Sequence, residues 1–280
     1  MSIFSLPTDH YAIFLLVEPT LVFLILSPII GSFLGVLIRR IPLSQPFMVV
    51  RSECETCLKP LRPWEMIPVF SYLYQKGRCQ NCKAKIAPFH LHIELAAPIV
   101  PAFVAVASFW TYSPLYSYAY LAWSCLLGWV LLALIWIDIR HFRLPDILTL
   151  PLLLAGLANG LWLELATADN FHIYGDILTE RLAGCLLGWG FLTALAKLYK
   201  HVRGRTGLGA GDIKLVAAGG AWLGLNALPA TIFCAAILGI LHVVARHLYQ
   251  RHASWSQAIP FGPALALSIW LIYLISPHSL

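Results

Sequence analysis

Two aspartates and four cysteines are the residues of this chain whose types and spacing could do chemistry. Asp138 closes the apolar run LLALIWID, and Asp212 opens another, in TGLGAGDIKLVAAGGAWLG. An ionised aspartate at the centre of a membrane helix costs about 3 kcal/mol on insertion scales, so a carboxylate on such a segment is usually functional or paired. Two carboxylates within a few ångströms of each other cannot both ionise cheaply, and one keeps its proton near neutral pH. The ionised member can then act as general base on a water while its protonated neighbour polarises a peptide carbonyl, the division of labour of aspartic proteolysis. Each residue taken singly has a plainer reading: Asp138 as a helix-end group or a partner of Arg140, Asp212 as a helix N-cap. Gly207, Gly209 and Gly211 permit positive φ and leave no side chain beside Asp212, so an extended peptide could lie against this turn. A loop that only needs flexibility would look the same.

The cysteines fall in SECETCLKPLRPWEMIPVFSYLYQKGRCQNCKAKI. Cys54 and Cys57 form one CxxC, Cys79 and Cys82 another, with 21 residues between the pairs. That spacing suits two knuckles offering four thiolates to a tetrahedral zinc ion. With no open coordination position, such a metal holds the loop together and performs no reaction. Two disulfides are the alternative, disfavoured in a loop facing a reducing compartment. Cys125, Cys185 and Cys234 stand alone inside apolar segments and read as packing residues. The ten histidines are scattered without HExxH spacing, so a zinc hydrolase has no support.

These groups need helices in lipid to position them. Of 280 residues, 59% are hydrophobic and 11% charged, too few polar side chains to cover a soluble globule. Apolar segments at roughly 12–38, 92–111, 117–137, 147–164, 178–199, 212–224, 227–247 and 260–276 predict an all-α, polytopic membrane bundle of about eight helices. The sixth is short and rich in Gly and Ala, suited to close contact with other helices. The stretch MSIFSLPTDHYAIFLLVEP has no basic residue before its apolar run and no small-residue cleavage pattern after it, and reads as the first anchor. Lys and Arg crowd the odd-numbered loops, from Arg39 to Lys85, at Arg140 and Arg143, from Lys197 to Arg205, and at Arg246 and Arg251. The loop from Leu165 to Glu180 carries Asp169, Asp176 and Glu180 instead. Odd loops are therefore expected in the cytoplasm, with both termini outside. The asymmetry explains a net charge of +6 without a nucleic-acid partner, and predicts contact with anionic membrane lipids. Under this topology the third segment delivers Asp138, and the sixth Asp212, to the same membrane face.

Five blocks in order, GSFLGVLIRRIP at 31–42, the paired knuckles around IPVFSYLYQKGRC, IDIRHFRLPD at 137–146, GLGAGDIKLVAAGGAWLG at 207–224 and IPFGPALAL at 259–267, resemble the bacterial prepilin peptidases, or type IV leader peptidases. The resemblance covers nearly the whole chain. It implies an inner-membrane aspartic endopeptidase that removes the leader of type IV prepilins or type II secretion pseudopilins on the cytoplasmic side. Its catalytic aspartates fall on Asp138 and Asp212, and its zinc ligands on Cys54, Cys57, Cys79 and Cys82. It further implies N-methylation of the new N-terminus with S-adenosylmethionine. The domains expected are a first helix at 12–38, a zinc-binding loop at 39–92 and a membrane-embedded peptidase part at 93–280. Where the family commonly has Asn in GSFLN this chain has Gly35, and where it commonly has Arg-Tyr-Pro before a Glu it has Phe89, His90 and Leu91 ahead of Glu94. The peptidase blocks are intact, while these changes fall in the region linked to methyl transfer, so a peptidase-only enzyme is the alternative.

Glu94 is a candidate substrate-binding residue, accepting the positive charge of a leader or a freed amine, or else a carboxylate stabilised by a helix start. Asp146 reads as an N-cap, and Lys214 as either a neighbour favouring an ionised aspartate or a snorkelling side chain. Trp110, Tyr112 and Trp123 suit interfacial belts. The competing readings are an intramembrane protease of the presenilin type, which shares GxGD but lacks the knuckles; a transporter relaying protons through its carboxylates; and an assembly module built on the zinc loop.

Overall fold

Every one of the eight apolar segments is helical in the computed structural model, which describes residues 10–46, 51–111, 118–166, 176–205, 207–249 and 260–275. Tyr112, Asp169 and Arg251 lie outside the described residues. The chain divides into two compact units, Met1–Trp129 and Val130–Leu280.

In the first unit, α1 (His10–Arg40) ends on Arg39 and Arg40, after which the chain leaves the apolar register. A 3-10 turn, Pro63–Met66, and the one-turn helix α2, Phe70–Tyr74, lie between the knuckles. The second apolar segment is two helices, α3 (Phe89–Ala96) and α4 (Ile99–Thr111). Pro101 has no N–H to give the Ala97 carbonyl, and the Trp129 indole N–H donates to that oxygen instead, at 3.0 Å. Gly31 lets α1 and α3 touch: a Cβ there would lie 2.8 Å from the Glu94 Cα. The helix α5, Tyr118–His141, runs from the first unit into the second.

The second unit is built around a short helix. After α6 (Asp146–Ala166) and α7 (Asp176–Arg203) comes α8, Ala210–Leu223, followed by α9 (Leu228–Tyr249) and α10 (Gly262–Ile275). All of α8 from Leu215 onward is buried, against α6, α7, α9 and α10. Small residues make that possible: a Cβ on Gly220 would collide with the backbone carbonyl of Gly184, and one on Gly156 would lie 2.6 Å from the Trp222 ring. Trp222 Nε1–H donates to the Leu152 carbonyl at 2.8 Å, and the fully buried Arg181 donates to the Gly156 carbonyl and the Asn159 side chain at 2.9 and 2.8 Å.

Six helical stretches of the described residues are long and apolar enough to cross a bilayer. The expected count of eight is not reached, because α8 and α10 have 14 residues each. Such a helix spans about 21 Å, against about 30 Å of hydrocarbon.

Candidate active site and metal centre

The two knuckles are built alike. In each, the residue after the second cysteine, Leu58 or Lys83, takes a left-handed conformation (φ 55° and 60°). Its N–H donates to the carbonyl of the first cysteine, at 2.9 Å for Cys54 and 3.0 Å for Cys79. These turns bring the sulfurs of Cys54, Cys57, Cys79 and Cys82 within 4.8 Å of one another. A tetrahedral zinc with bonds of about 2.3 Å sets its sulfurs about 3.8 Å apart. Cys54 and Cys82 Sγ are 3.8 Å apart, far beyond a disulfide bond, and all four cysteines are free. The Lys59 N–H and the Asn81 amide donate to Cys57 and lower its pKa to about 6, which favours the thiolate a metal needs. Lys59 Nζ also donates to Asn81 Oδ1 at 3.0 Å, tying one knuckle to the other. The cluster can therefore bind a metal ion.

In the second unit Asp138 sits in the last turn of α5, only 6% exposed. Asp212 is the third residue of α8, whose N-cap is Gly209, so it is not itself the cap. The Gly209 N–H donates to the Asp212 carboxylate, the back half of a capping box. Asp138 and Asp212 line one recess of about 400 Å³, with Phe142, Gly207, Leu208, Gly209, Pro260 and Phe261 completing it. Asp138 Oδ2 accepts a hydrogen bond from the Gly262 N–H at 3.1 Å. A Cβ on Gly262 would stand 2.5 Å from that oxygen, so the first residue of α10 must be glycine for the carboxylate to lie where it does. Gly262 is the site residue that residue types alone missed; IPFGPALAL gave only its neighbourhood.

The glycines before Asp212 work differently from the expectation. Neither Gly209 nor Gly211 has positive φ: Gly209 is extended at φ −72° and Gly211 lies in α8. They are needed for close approach: added Cβ atoms would meet the Tyr199 ring at 2.6 Å, Asp212 Oδ2 at 3.0 Å and Leu144 Cβ at 2.9 Å, respectively. Gly207 and Gly209 line the recess, whereas Gly211 faces Leu144. Lys214 pairs with Asp146 at 2.6 Å. Asp146 lies inside the first turn of α6 and does not precede it as a cap.

Glu94 belongs to the first unit and is 8% exposed. Its Oε2 accepts from the Val69 N–H at 2.7 Å. Val69 (φ 61°, ψ −53°) is the apex of a strained γ-turn closed by the Phe70 N–H to the Pro68 carbonyl at 2.6 Å. Glu94, Ser32, Arg39, Tyr72 and His90 are among the residues around a second recess, of about 460 Å³.

A polytopic helical membrane protein with two carboxylates in one recess at helix ends is the layout of a membrane-embedded aspartic peptidase. Residues 25–112 match the model of the bacterial peptidase A24 N-terminal domain, and residues 125–244 that of the type IV leader peptidase family. The chain is 36% identical over 280 residues to a prepilin leader peptidase/N-methyltransferase of Aeromonas salmonicida, covering 91% of this chain and 90% of that protein. It is 37% identical over 279 residues to the protein of that name in Aeromonas hydrophila (91% and 90%) and 34% identical over 279 residues to that in Pseudomonas aeruginosa (90% and 88%). No solved structure matches it. The chain belongs to the type IV leader peptidase family.

Proposed function

We propose that this protein is a membrane aspartic endopeptidase that cleaves the leader from type IV prepilins or type II secretion pseudopilins and then methylates the new N-terminus. The observation that carries the peptidase reading is the shared recess of Asp138 and Asp212. One aspartate, ionised, takes a proton from water as the oxygen attacks the scissile carbonyl carbon. The other gives its proton to the carbonyl oxygen. Collapse of the tetrahedral species breaks the C–N bond, and the leaving amine takes the first proton. A scissile bond inside a helix is shielded, so the substrate is extended at the cut. The backbone from Gly207 to Gly209, bare of large side chains beside Asp212, is suited to bind that strand by main-chain hydrogen bonds.

Zinc fills the cysteine cluster in a structural role, consistent with four sulfur donors and no open position. The methyl donor is S-adenosylmethionine, which when bound supplies an electrophilic methyl group. The recess of the first unit has the size for it, with Arg39 and Glu94 of opposite charge for its amino-acid end and Tyr72 for its base. The functional division is then 12–38 as anchor, 39–92 as zinc-bearing loop and 93–280 as peptidase part. The protein sits in the inner membrane with the dyad toward the cytoplasm, as the Lys and Arg distribution supports.

The test is incubation of purified protein with a prepilin, read by mass spectrometry with and without S-adenosylmethionine. We expect loss of the leader, and about 14 Da added only with the donor, the mass of one CH₂. Asp138→Ala and Asp212→Ala should each abolish cleavage while expressing normally. Full activity in either would end the dyad reading.

A further inference from the structure

The run from Trp64 to Tyr74 keeps large apolar side chains in the open. Trp64, Ile67, Phe70, Leu73 and Tyr74 are 55%, 47%, 65%, 61% and 74% exposed. On the single turn of α2, Phe70, Leu73 and Tyr74 stand at i, i+3 and i+4 and share a face, with the Phe70 and Tyr74 rings stacked at 6.4 Å. The opposite side of the turn, Ser71, Tyr72 and Gln75, lines the recess of the first unit together with Ile29 to Arg40 of α1. One face of this segment is thus turned inward against a membrane helix, and the other is exposed within the first unit among the described residues. A short run of exposed large apolar side chains of this kind marks an interaction site.

Three observations identify what covers it. First, depth: the Val69 N–H is bonded to Glu94, which lies inside the candidate span Phe89–Ser108, so Phe70 starts one residue from a hydrogen bond made at a membrane helix. Second, tethering: the segment lies between α1, which ends at Arg40, and α3, which begins at Phe89, so both ends of the loop that carries it are fixed at membrane helices. Third, charge: residues 51–88 hold seven Lys and Arg against three Glu. Exposed Arg62 stands over the Trp64 ring at 5.5 Å, and exposed Lys76 and Arg78 follow the ridge. Aromatic side chains bordered by cations are the composition of an interfacial element on anionic lipid.

We propose that the ridge of Trp64, Ile67, Phe70, Leu73 and Tyr74 is a membrane-surface docking element that inserts into the anionic phospholipid headgroup layer, with Arg62, Lys76 and Arg78 on lipid phosphates. The docked ridge holds the metal-bearing loop flat on the bilayer that its flanking helices cross.

The full chain is placed in nanodiscs containing phosphatidylglycerol and a phospholipid with a photoreactive group near its headgroup, and adducts are mapped by mass spectrometry. Adducts are expected on the peptide from Trp64 to Tyr74. Their yield should fall about fivefold for each cation neutralised in the series Arg62→Gln, Lys76→Gln and Arg78→Gln, and also when phosphatidylcholine replaces phosphatidylglycerol. The triple variant Trp64→Ser, Phe70→Ser, Tyr74→Ser should lose the adducts while retaining its metal content, which reports an intact loop. Adducts on α4 with none on the ridge would overturn the proposal, as would ridge cross-links to a second copy or to a prepilin in place of lipid. Equal yields in phosphatidylcholine and in the Gln variants would overturn the assignment to anionic lipid.

Discussion

Gly262→Ala replaces one hydrogen by a methyl group at the start of α10, and we expect it to disable the dyad without unfolding the protein. The new Cβ would stand 2.5 Å from Asp138 Oδ2 and 3.0 Å from its Cγ. Real Cβ contacts essentially never fall below 3.0 Å, so the carboxylate must retreat by about 0.5 Å or more. A retreat by rotation stretches the 3.1 Å hydrogen bond from the Gly262 N–H. Losing a bond to a charged group costs about 1.5–3 kcal/mol, and catalytic groups must be held to within about 0.5 Å of their productive positions. A misplacement near 1 Å costs about 100-fold in rate. We therefore expect kcat for prepilin cleavage to fall about 30- to 300-fold, with KM changed less than about threefold because the backbone proposed to bind the substrate strand, Gly207–Gly209, is untouched. The assay is steady-state cleavage by purified protein over a range of prepilin concentrations. Gly190→Ala is the control, because a Cβ there meets nothing within 4 Å. A Gly262→Ala protein within about threefold of the parent kcat, with a normal melting profile, would refute the claim that this contact places Asp138.

Three further outcomes are expected. Cys79→Ser should lower bound zinc from one ion per chain to none and expose residues 51–88 to limited proteolysis, measured by elemental analysis and peptide mapping, because three thiolates leave the site open. Val69→Gly should stabilise the first unit by about 1 kcal/mol in a thermal melt, since glycine adopts positive φ without strain and keeps the N–H that Glu94 accepts. Gly220→Ala should destabilise the second unit by about 2 kcal/mol or more and reduce cleavage with it, because the clash is with the Gly184 backbone and neither helix can yield locally.

The helices were legible in the sequence because lipid imposes a simple rule: an apolar run must satisfy its own backbone, and a helix is the way to do so. The shortness of α8 was legible from its Gly- and Ala-rich run, but the run still counts among the expected spans, as does α10, although 14 residues lack the reach of about 30 Å and helix packing takes over from lipid. The cysteine cluster and the aspartate pair stood out because each is marked by type and spacing, and both aspartates line one recess. Gly262 was not readable, because a hydrogen bond from a main-chain amide 124 positions away leaves no mark in residue type. Why glycine stands at 207 and 211 was not readable for a related reason: glycine serves both positive φ and close approach, and the partners Tyr199 and Leu144 show the close approach. Lys214 reads in the sequence as a neighbour of an ionised aspartate or a snorkelling side chain, whereas it pairs with Asp146, a contact that depends on where α6 begins.

The burial of α8 bears on how this enzyme meets different membranes. Bilayers vary in thickness by several ångströms, and a helix bathed in acyl chains answers by tilting. From Leu215 to Gly224 every residue is enclosed by protein, so the segment that carries Asp212 has almost no surface on which acyl chains can pull. Swings in lipid composition are absorbed by the outer helices, such as α9, where Phe233, Ile240 and Leu248 face outward. The helix that carries Asp212 is thereby shielded from changes in acyl-chain length with growth temperature and diet.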